Sequence, residues 1–264
     1  MRNLLLTLIV LLLTFDSAIG QNSDSATQSS GNSEINQMLQ KLLDESRDGK
    51  NKKATPIPAL IAGIQTHGKP IELGAVGVRK WESDAMVTTT DLVHIGSCTK
   101  AMTATLIGIL VDEGKLTFET TIGEALPGLK GKIHEDYLGV TIHQLLTHTS
   151  GVPRDGFWAA HTDKPLGERR ELIVTKALQR APKHQPGSHH SYSNLGYCIA
   201  GMIAAKVENS TWEDVITKKL FKPLGMTSAS FGPPGSQGKT DQPWGHLPLG
   251  KKLRPLQRDN PVPL

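Results

Sequence analysis

Two short stretches of this chain carry side chains whose types and spacing suit one kind of chemistry. The first is Ile95-Gly96-Ser97-Cys98-Thr99-Lys100, followed by an apolar, alanine-containing run to Leu110. The pattern predicts a buried helix opened by Ser97, with Lys100 three residues on and on the same face. A serine hydroxyl is a weak nucleophile until a neighbouring base takes its proton. A lysine serves as that base where burial or another cation favours the neutral amine, and Lys100 is the only charged residue between Ile95 and Val111. N–H groups at the start of the helix would favour the anion formed as Ser97 attacks a carbonyl. The same residues also fit a plain serine cap with a lysine reaching out to water.

The second stretch is His189-His190-Ser191-Tyr192-Ser193-Asn194, directly before the apolar run Leu195 to Val207. Residues two apart in an extended segment point the same way, so the Tyr192 phenol and the Asn194 carboxamide are expected to face one site. A phenol beside a lysine cation gives up its proton more readily. A Tyr192–Lys100 pair could then pass the Ser97 proton to a leaving group, while Asn194 holds a substrate amide or fixes Lys100. A surface loop ending in an Asn194 helix cap is the plain alternative.

The elements that must position these residues are legible in outline. Ile35, Met38, Leu39, Leu42 and Leu43 recur at helical spacing, which predicts an amphipathic helix over 33–48. Residues 58–65 and 71–80 read as the two strands of a hairpin about a His67-Gly68-Lys69 turn. Helices are expected from Ser97 to Gly114, at Thr121 to Pro127, from Thr141 to His148 with a Thr141 cap, from Glu168 to Gln179 with Leu172, Ile173 and Leu178 inside, from Leu195 to Val207, and from Thr211 to Leu220. After Ser230 glycine, proline and charge dominate and no element is expected. Few strands and many helices make a mixed α/β (α+β) class.

Composition and address narrow the function. Met1-Arg2-Asn3, an apolar run from Leu4 to Phe15 and the small-x-small Ala18-Ile19-Gly20 read as a signal peptide over 1–20. Its apolar run is too short to span a bilayer. Residues 21–32 read as a polar, disordered linker and 33–264 as one domain. The mature chain is expected to be secreted or periplasmic, with no membrane span after signal cleavage, and a monomer. The 29 Lys and Arg against 25 Asp and Glu leave a net charge of +4, scattered along the chain, which argues against nucleic acid as a partner. His184, His189 and His190 lack zinc-ligand spacing and read as polar loop, so neither metal nor cofactor is expected. Cys98 and Cys198 read as small apolar residues of buried helices rather than as a bridge.

Taken in order, Ser97-x-x-Lys100, Leu145-Leu146-Thr147-His148-Thr149-Ser150-Gly151, Tyr192-Ser193-Asn194 and Pro223-Leu224-Gly225-Met226 resemble the serine β-lactamase-related family, which groups class C β-lactamases, DD-peptidases (penicillin-binding proteins) and related esterases. The resemblance implies a β-lactamase/transpeptidase-like fold, a helical region packed on an antiparallel sheet. It implies an acyl-enzyme hydrolase acting on a β-lactam, a D-Ala-D-Ala-type (peptidoglycan) peptide or a small ester. Ser97 would be the acylated nucleophile, Lys100 its base and proton shuttle, Tyr192 a general base or acid, and Asn194 the substrate-amide ligand. The Thr147–Gly151 and Pro223–Met226 segments would shape the fold without chemistry. The family's third motif, Lys/His-Thr/Ser-Gly on a late strand, has no good match: Lys239-Thr240-Asp241 carries aspartate where glycine belongs. The chain therefore reads as C-terminally truncated, without the last strands and with half an oxyanion hole. Losing one such donor costs about 10²–10³ in turnover, so a binding or sensor module, or a chain with no activity, is the alternative.

Overall fold

The computed structural model describes residues 32–48, 55–249 and 252–257. The expected signal peptide, and all of the expected linker except Asn32, lie outside the described residues. The chain divides into two compact units: one runs through His94 and takes in the segment from Pro233 to Arg258, and the other is built on Ile95–Gly232.

In the first unit helix α1, Ser33–Arg47, starts at Asn32, whose side chain accepts from the Glu34 and Ile35 amides and so satisfies two of the donors a helix start leaves open. Ile35, Leu39 and Leu43 are buried on one line of the helix, while Met38 and Leu42 are exposed, so the buried stripe is narrower than the five apolar positions expected. Strands β1, Ala59–Ile64, and β2, Glu72–Gly77, pair antiparallel with Leu60 opposite Val76 and Ala62 opposite Gly74, a trimmed form of the expected hairpin. α1 lies against this hairpin, clustering Ile35, Leu39 and Leu43 with Val76, Leu60 and Ala62. Gly74 is what allows the approach: a Cβ there would stand 2.4 Å from Ile35 Cγ2.

The segment after Ser230 corrects the sequence expectation. Gly245–Leu249 (β3) and Lys252–Leu256 (β4) form a second antiparallel hairpin, with Leu247 opposite Arg254. Pro248 and Pro255 hid it, since proline usually argues against a strand. In a two-stranded ribbon both strands are edges, where a missing N–H is tolerated. The approach to the hairpin is held by partners distant in sequence: Trp244 N–H donates to Arg79 O at 2.8 Å, Trp81 N–H to His246 Nε2 at 2.9 Å, and Leu92 N–H to Gln242 Oε1 at 2.7 Å.

The second unit is helical. A 3₁₀ turn, Gly96–Cys98, leads into α2, Thr99–Asp112; α3 is Ile122–Ala125, α4 Ile142–Leu146, α5 Leu166–Ala177, α6 Asn194–Val207 and α7 Trp212–Ile216, which runs on as a π turn over Thr217–Phe221. α6 is central and packs against α2, α3, α4, α5 and α7. It buries residues all round, among them Leu195, Cys198, Ile199 and Ile203, as a helix enclosed by others must. Leu106, Ile107 and Leu110 of α2 and Leu145 of α4 complete the core around it. Thr121 and Thr141 each close a capping box, with Glu124 and Gln144 respectively. α5 turns Ile173, Val174 and Arg170 inward, while Leu172 is only half-buried, a further correction. The buried Arg170 guanidinium pairs with Glu213 of α7. Cys98 and Cys198 are both free thiols, and complete burial pushes the Cys198 thiol up to about 12.

The observed mixture of helices and small antiparallel sheets agrees with the α/β (α+β) class read from the sequence.

Candidate active site

All four residues singled out from the two motifs lie in the helical unit, and the fold brings them together. Ser97 sits in the 3₁₀ turn rather than at a side-chain cap: no side-chain hydrogen bond caps this turn or α2. Its hydroxyl is exposed and accepts from the Tyr192 hydroxyl at 2.8 Å. Gly96 has φ +52°, a left-handed conformation that glycine adopts without strain, and this sharp entry lifts Ser97 to the surface.

Lys100, on the first turn of α2, is half-buried and donates to Asn194 Oδ1 at 2.7 Å. Its ammonium also stands 5.1 Å from the centre of the Tyr192 ring and 5.6 Å from that of Tyr197, within cation–π range of both. The plain reading of Asn194 as the cap of α6 is corrected here. Ser193 is the cap, its Oγ accepting from Gly196 N–H at 2.8 Å, so Asn194 is the first helical residue and its carboxamide is free to bridge. Besides accepting from Lys100 it donates through Nδ2 to Asp155 Oδ1 at 2.7 Å.

Four further residues join the site that the sequence did not mark. Asp155 and Arg154 come from the loop after α4; the Arg154 guanidinium lies 5.7 Å from the Tyr192 ring centre. Tyr197, one turn into α6, donates to Leu146 O at 2.9 Å. His148, read only as part of a fold landmark, stacks obliquely on Tyr192 at 4.5 Å and approaches Tyr197 at 5.2 Å. Its Nδ1 accepts from Ser193 N–H at 3.0 Å, and its own carbonyl accepts from Ser191 N–H at 2.7 Å. His148 thus fixes both ends of the extended segment that carries Tyr192. Burial first, then the charges of Lys100 and His190, hold its imidazole below the usual histidine range, so it is an acceptor at neutral pH. The signal in the sequence was His148-Thr149-Ser150-Gly151: His148 has φ +61° and Gly151 φ +70°, and a Cβ on Gly151 would meet His184 O at 2.6 Å.

The arrangement offers an exposed hydroxyl hydrogen-bonded to a phenol, with a lysine and a carboxamide beside the phenol. A carbonyl reaching Ser97 would meet a nucleophile already hydrogen-bonded to the Tyr192 phenol. The third-motif remnant belongs to the other unit. Lys239–Asp241 lies in a turn closed by Ser236 N–H to Asp241 Oδ1 at 3.0 Å, and none of the four strands among the described residues carries Lys/His-Thr/Ser-Gly. Among the described residues no group of three or more His, Cys, Asp or Glu could hold a metal ion, and no helix is long and apolar enough to cross a membrane.

Helical unit, Ser-x-x-Lys turn and Tyr-x-Asn segment occur together as the resemblance to the β-lactamase-related family implies, and comparison with known proteins agrees. The Beta-lactamase family model matches residues 35–263, and the chain belongs to that family of serine hydrolases. Among curated relatives it is 30% identical over 187 residues to Beta-lactamase of Providencia stuartii, covering 71% of this chain and 46% of that protein. It is 32% identical over 170 residues to Penicillin-binding protein 4 of Amycolatopsis lactamdurans, covering 64% and 44%. The protein flp of Staphylococcus aureus (strain N315) is 30% identical over 187 residues, covering 70% and 37%. The chain thus spans less than half the length of these relatives. Among solved structures, the octameric penicillin-binding protein homologue from Pyrococcus abyssi matches with a TM-score of 0.68 and 26% identity over 86% of this chain and 51% of that one. The D-amino acid amidase from Ochrobactrum anthropi, at 22% identity and TM-score 0.67 over 88% and 64%, shares the fold. The expectation of a monomer gains no support, one similar structure being octameric.

Proposed function

We propose that this chain is an exported serine acyl-transfer enzyme in which Ser97 attacks the carbonyl of a β-lactam, a D-Ala-D-Ala-type peptide or a small ester. The observation that carries the reading is the 2.8 Å hydrogen bond between Tyr192 and Ser97, with Lys100 against the same phenol ring. In the first step Ser97 Oγ bonds to the carbonyl carbon as its proton leaves through the Tyr192–Lys100 pair. That proton then goes to the departing nitrogen or oxygen, and an acyl-Ser97 ester remains. Water attacks the ester in the second step, giving up one proton to the same pair, which passes it to Ser97 Oγ as the acid departs. Asn194 aims Lys100, and the open end of α2 with the Ser97 N–H favours the oxyanion. The names of the relatives support the β-lactam class of substrate. Export rests on the N-terminal sequence.

A second reading has its own support. With no Lys/His-Thr/Ser-Gly on any described strand, the chain would bind or slowly acylate without turning over, as a sensor does.

Intact mass of the full chain, before and after incubation with a penicillin and separately with an activated ester, decides between them. The expected result is a covalent adduct on the wild type and none on Ser97→Ala. Rapid loss of the adduct marks a hydrolase and persistence a penicillin-binding sensor. No adduct on a chain shown by circular dichroism to be folded sinks the acyl-enzyme reading.

A further inference from the structure

We infer that Asp155 is a positioning residue: its carboxylate fixes which way round the Asn194 carboxamide lies, and so dictates what Lys100 can do. The inference rests on the reading of Ser97 and Lys100 given above and extends it to a residue neither motif contains.

The hydrogen-bonding chemistry permits one arrangement. An ionised carboxylate only accepts, and a carboxamide has one accepting and one donating end. Asp155 Oδ1 takes the donating end, Asn194 Nδ2, at 2.7 Å, which leaves only Oδ1 to face Lys100, at 2.7 Å. With Nδ2 held, Asn194 cannot turn a donor toward the lysine. That matters most in the neutral state of the amine. A free carboxamide could rotate and donate to the nitrogen lone pair, tying up the one feature that makes a lysine a base. Held by Asp155, Asn194 can only accept a hydrogen bond from Lys100, and the lone pair stays available toward the Ser97–Tyr192 pair.

The loop that bears Asp155 is built to keep it there. Asn194 N–H donates to Arg154 O at 2.7 Å, Leu195 N–H to the same oxygen at 3.3 Å, and Ser193 Oγ to Pro153 O at 2.7 Å. Residues 153 and 154 are thereby fastened to the first turn of α6, the turn that presents Asn194. Asp155 Oδ1 also accepts from Trp158 Nε1 at 3.2 Å, and its other oxygen lies 3.5 Å from Arg154 Nε. Asp155 is itself exposed. An exposed carboxylate contributes little to stability in water, so its alignment on Asn194 is better explained by what it does to the site.

The test uses the full chain with Asp155→Leu, Asp155→Asn, Asn194→Ala and the double variant Asp155→Leu/Asn194→Ala. Asp155→Leu is expected to slow adduct formation by about 10–100-fold, the scale on which misplaced catalytic groups are felt, with the melting temperature and non-covalent substrate affinity unchanged. Asp155→Asn, which can still offer an oxygen to Asn194 Nδ2, recovers part of that loss. In the Asn194→Ala background Asp155→Leu has no further effect, because its action passes through Asn194. Equal, independent losses in the two backgrounds overturn the inference, as does a loss that merely follows a fall in melting temperature. A second readout needs no activity. The Asn194 side-chain NH₂ pair in a ¹⁵N-correlated NMR spectrum, assigned by its disappearance in Asn194→Ala, is expected to move in Asp155→Leu. If the wild type forms no adduct, the acyl-enzyme reading fails by itself, and an unmoved NH₂ pair then overturns the positioning role separately.

Discussion

At the scale of single residues the site is a chain of four hydrogen-bonding groups in two linked pairs, Tyr192 to Ser97 and Lys100 to Asn194, with Lys100 lying against the Tyr192 ring. Tyr192 takes part in both its polar and its ring contacts, which makes it separable by mutation. Tyr192→Phe removes the hydroxyl at Ser97 and keeps the ring against His148 and Lys100. The expected outcome is a fall of about 10²–10⁴ in the rate of Ser97 acylation, the range of one acid–base group, with an unaltered circular dichroism spectrum. Stopped-flow acylation by an activated ester measures it; a loss under threefold would leave the phenol without a catalytic part.

At the scale of elements, the division of labour at the start of α6 explains why the motif takes its form. Ser193 satisfies the helix start, so the next residue can spend its side chain on Lys100. Farther along the same unit the Arg170–Glu213 pair ties α5 to α7, with Arg170 only 4% exposed. Its guanidinium also lies 5.8 Å from the Trp212 ring centre. Breaking a buried pair from one side leaves the other charge badly placed. Glu213 retains some access to water, so Arg170→Leu is expected to cost about 3 kcal/mol, the lower end for such pairs. The double variant Arg170→Leu/Glu213→Leu should recover more than half of that. Urea unfolding followed by circular dichroism gives both numbers, and a double variant no better than the single would rule out the pair as the cause.

At the scale of the whole molecule the ionisable groups predict how the fold responds to acid. His148 is held below its usual range, mainly by burial. The unfolded chain therefore binds this proton first, and stability is lost as pH falls through about 6.5 toward the folded value. Glu113 is depressed to about 2 by hydrogen bonds from Lys115 and then Lys219, Glu208 is lowered chiefly by Lys115, and Asp91 ends low because Arg79 and Thr88 outweigh its burial. Their contribution is present above the ordinary carboxylate range and disappears as pH falls below about 4.5. Melting temperature against pH should thus fall in two limbs. His148→Asn, which tolerates the positive φ and can still accept from Ser193, should reduce the upper limb and leave the lower one unchanged; what remains of the upper limb belongs to His246, also held low by burial. A single limb below pH 5 in the wild type would contradict the burial of His148. The Glu113–Lys115–Glu208–Lys219 group lies at the surface, so added salt should shrink its share.

Local sequence was enough to read the class, the amphipathic and buried helices and the first hairpin, and to single out the four residues of the two motifs. Each of these depends on local spacing: apolar residues every three or four positions, caps such as Thr141, and alternation about a glycine turn. Everything that depends on distant partners emerged with the assembled fold. Pro248 and Pro255 look like strand breakers until β3 and β4 are seen as edges, approached through a segment held by Arg79, Trp81 and Leu92. Asn194 reads as a cap until Ser193 is found doing that work. His148 reads as a landmark and Asp155 as an ordinary loop aspartate. No periodicity marks either, because their roles come from a loop laid across the first turn of α6, some forty residues later in the chain.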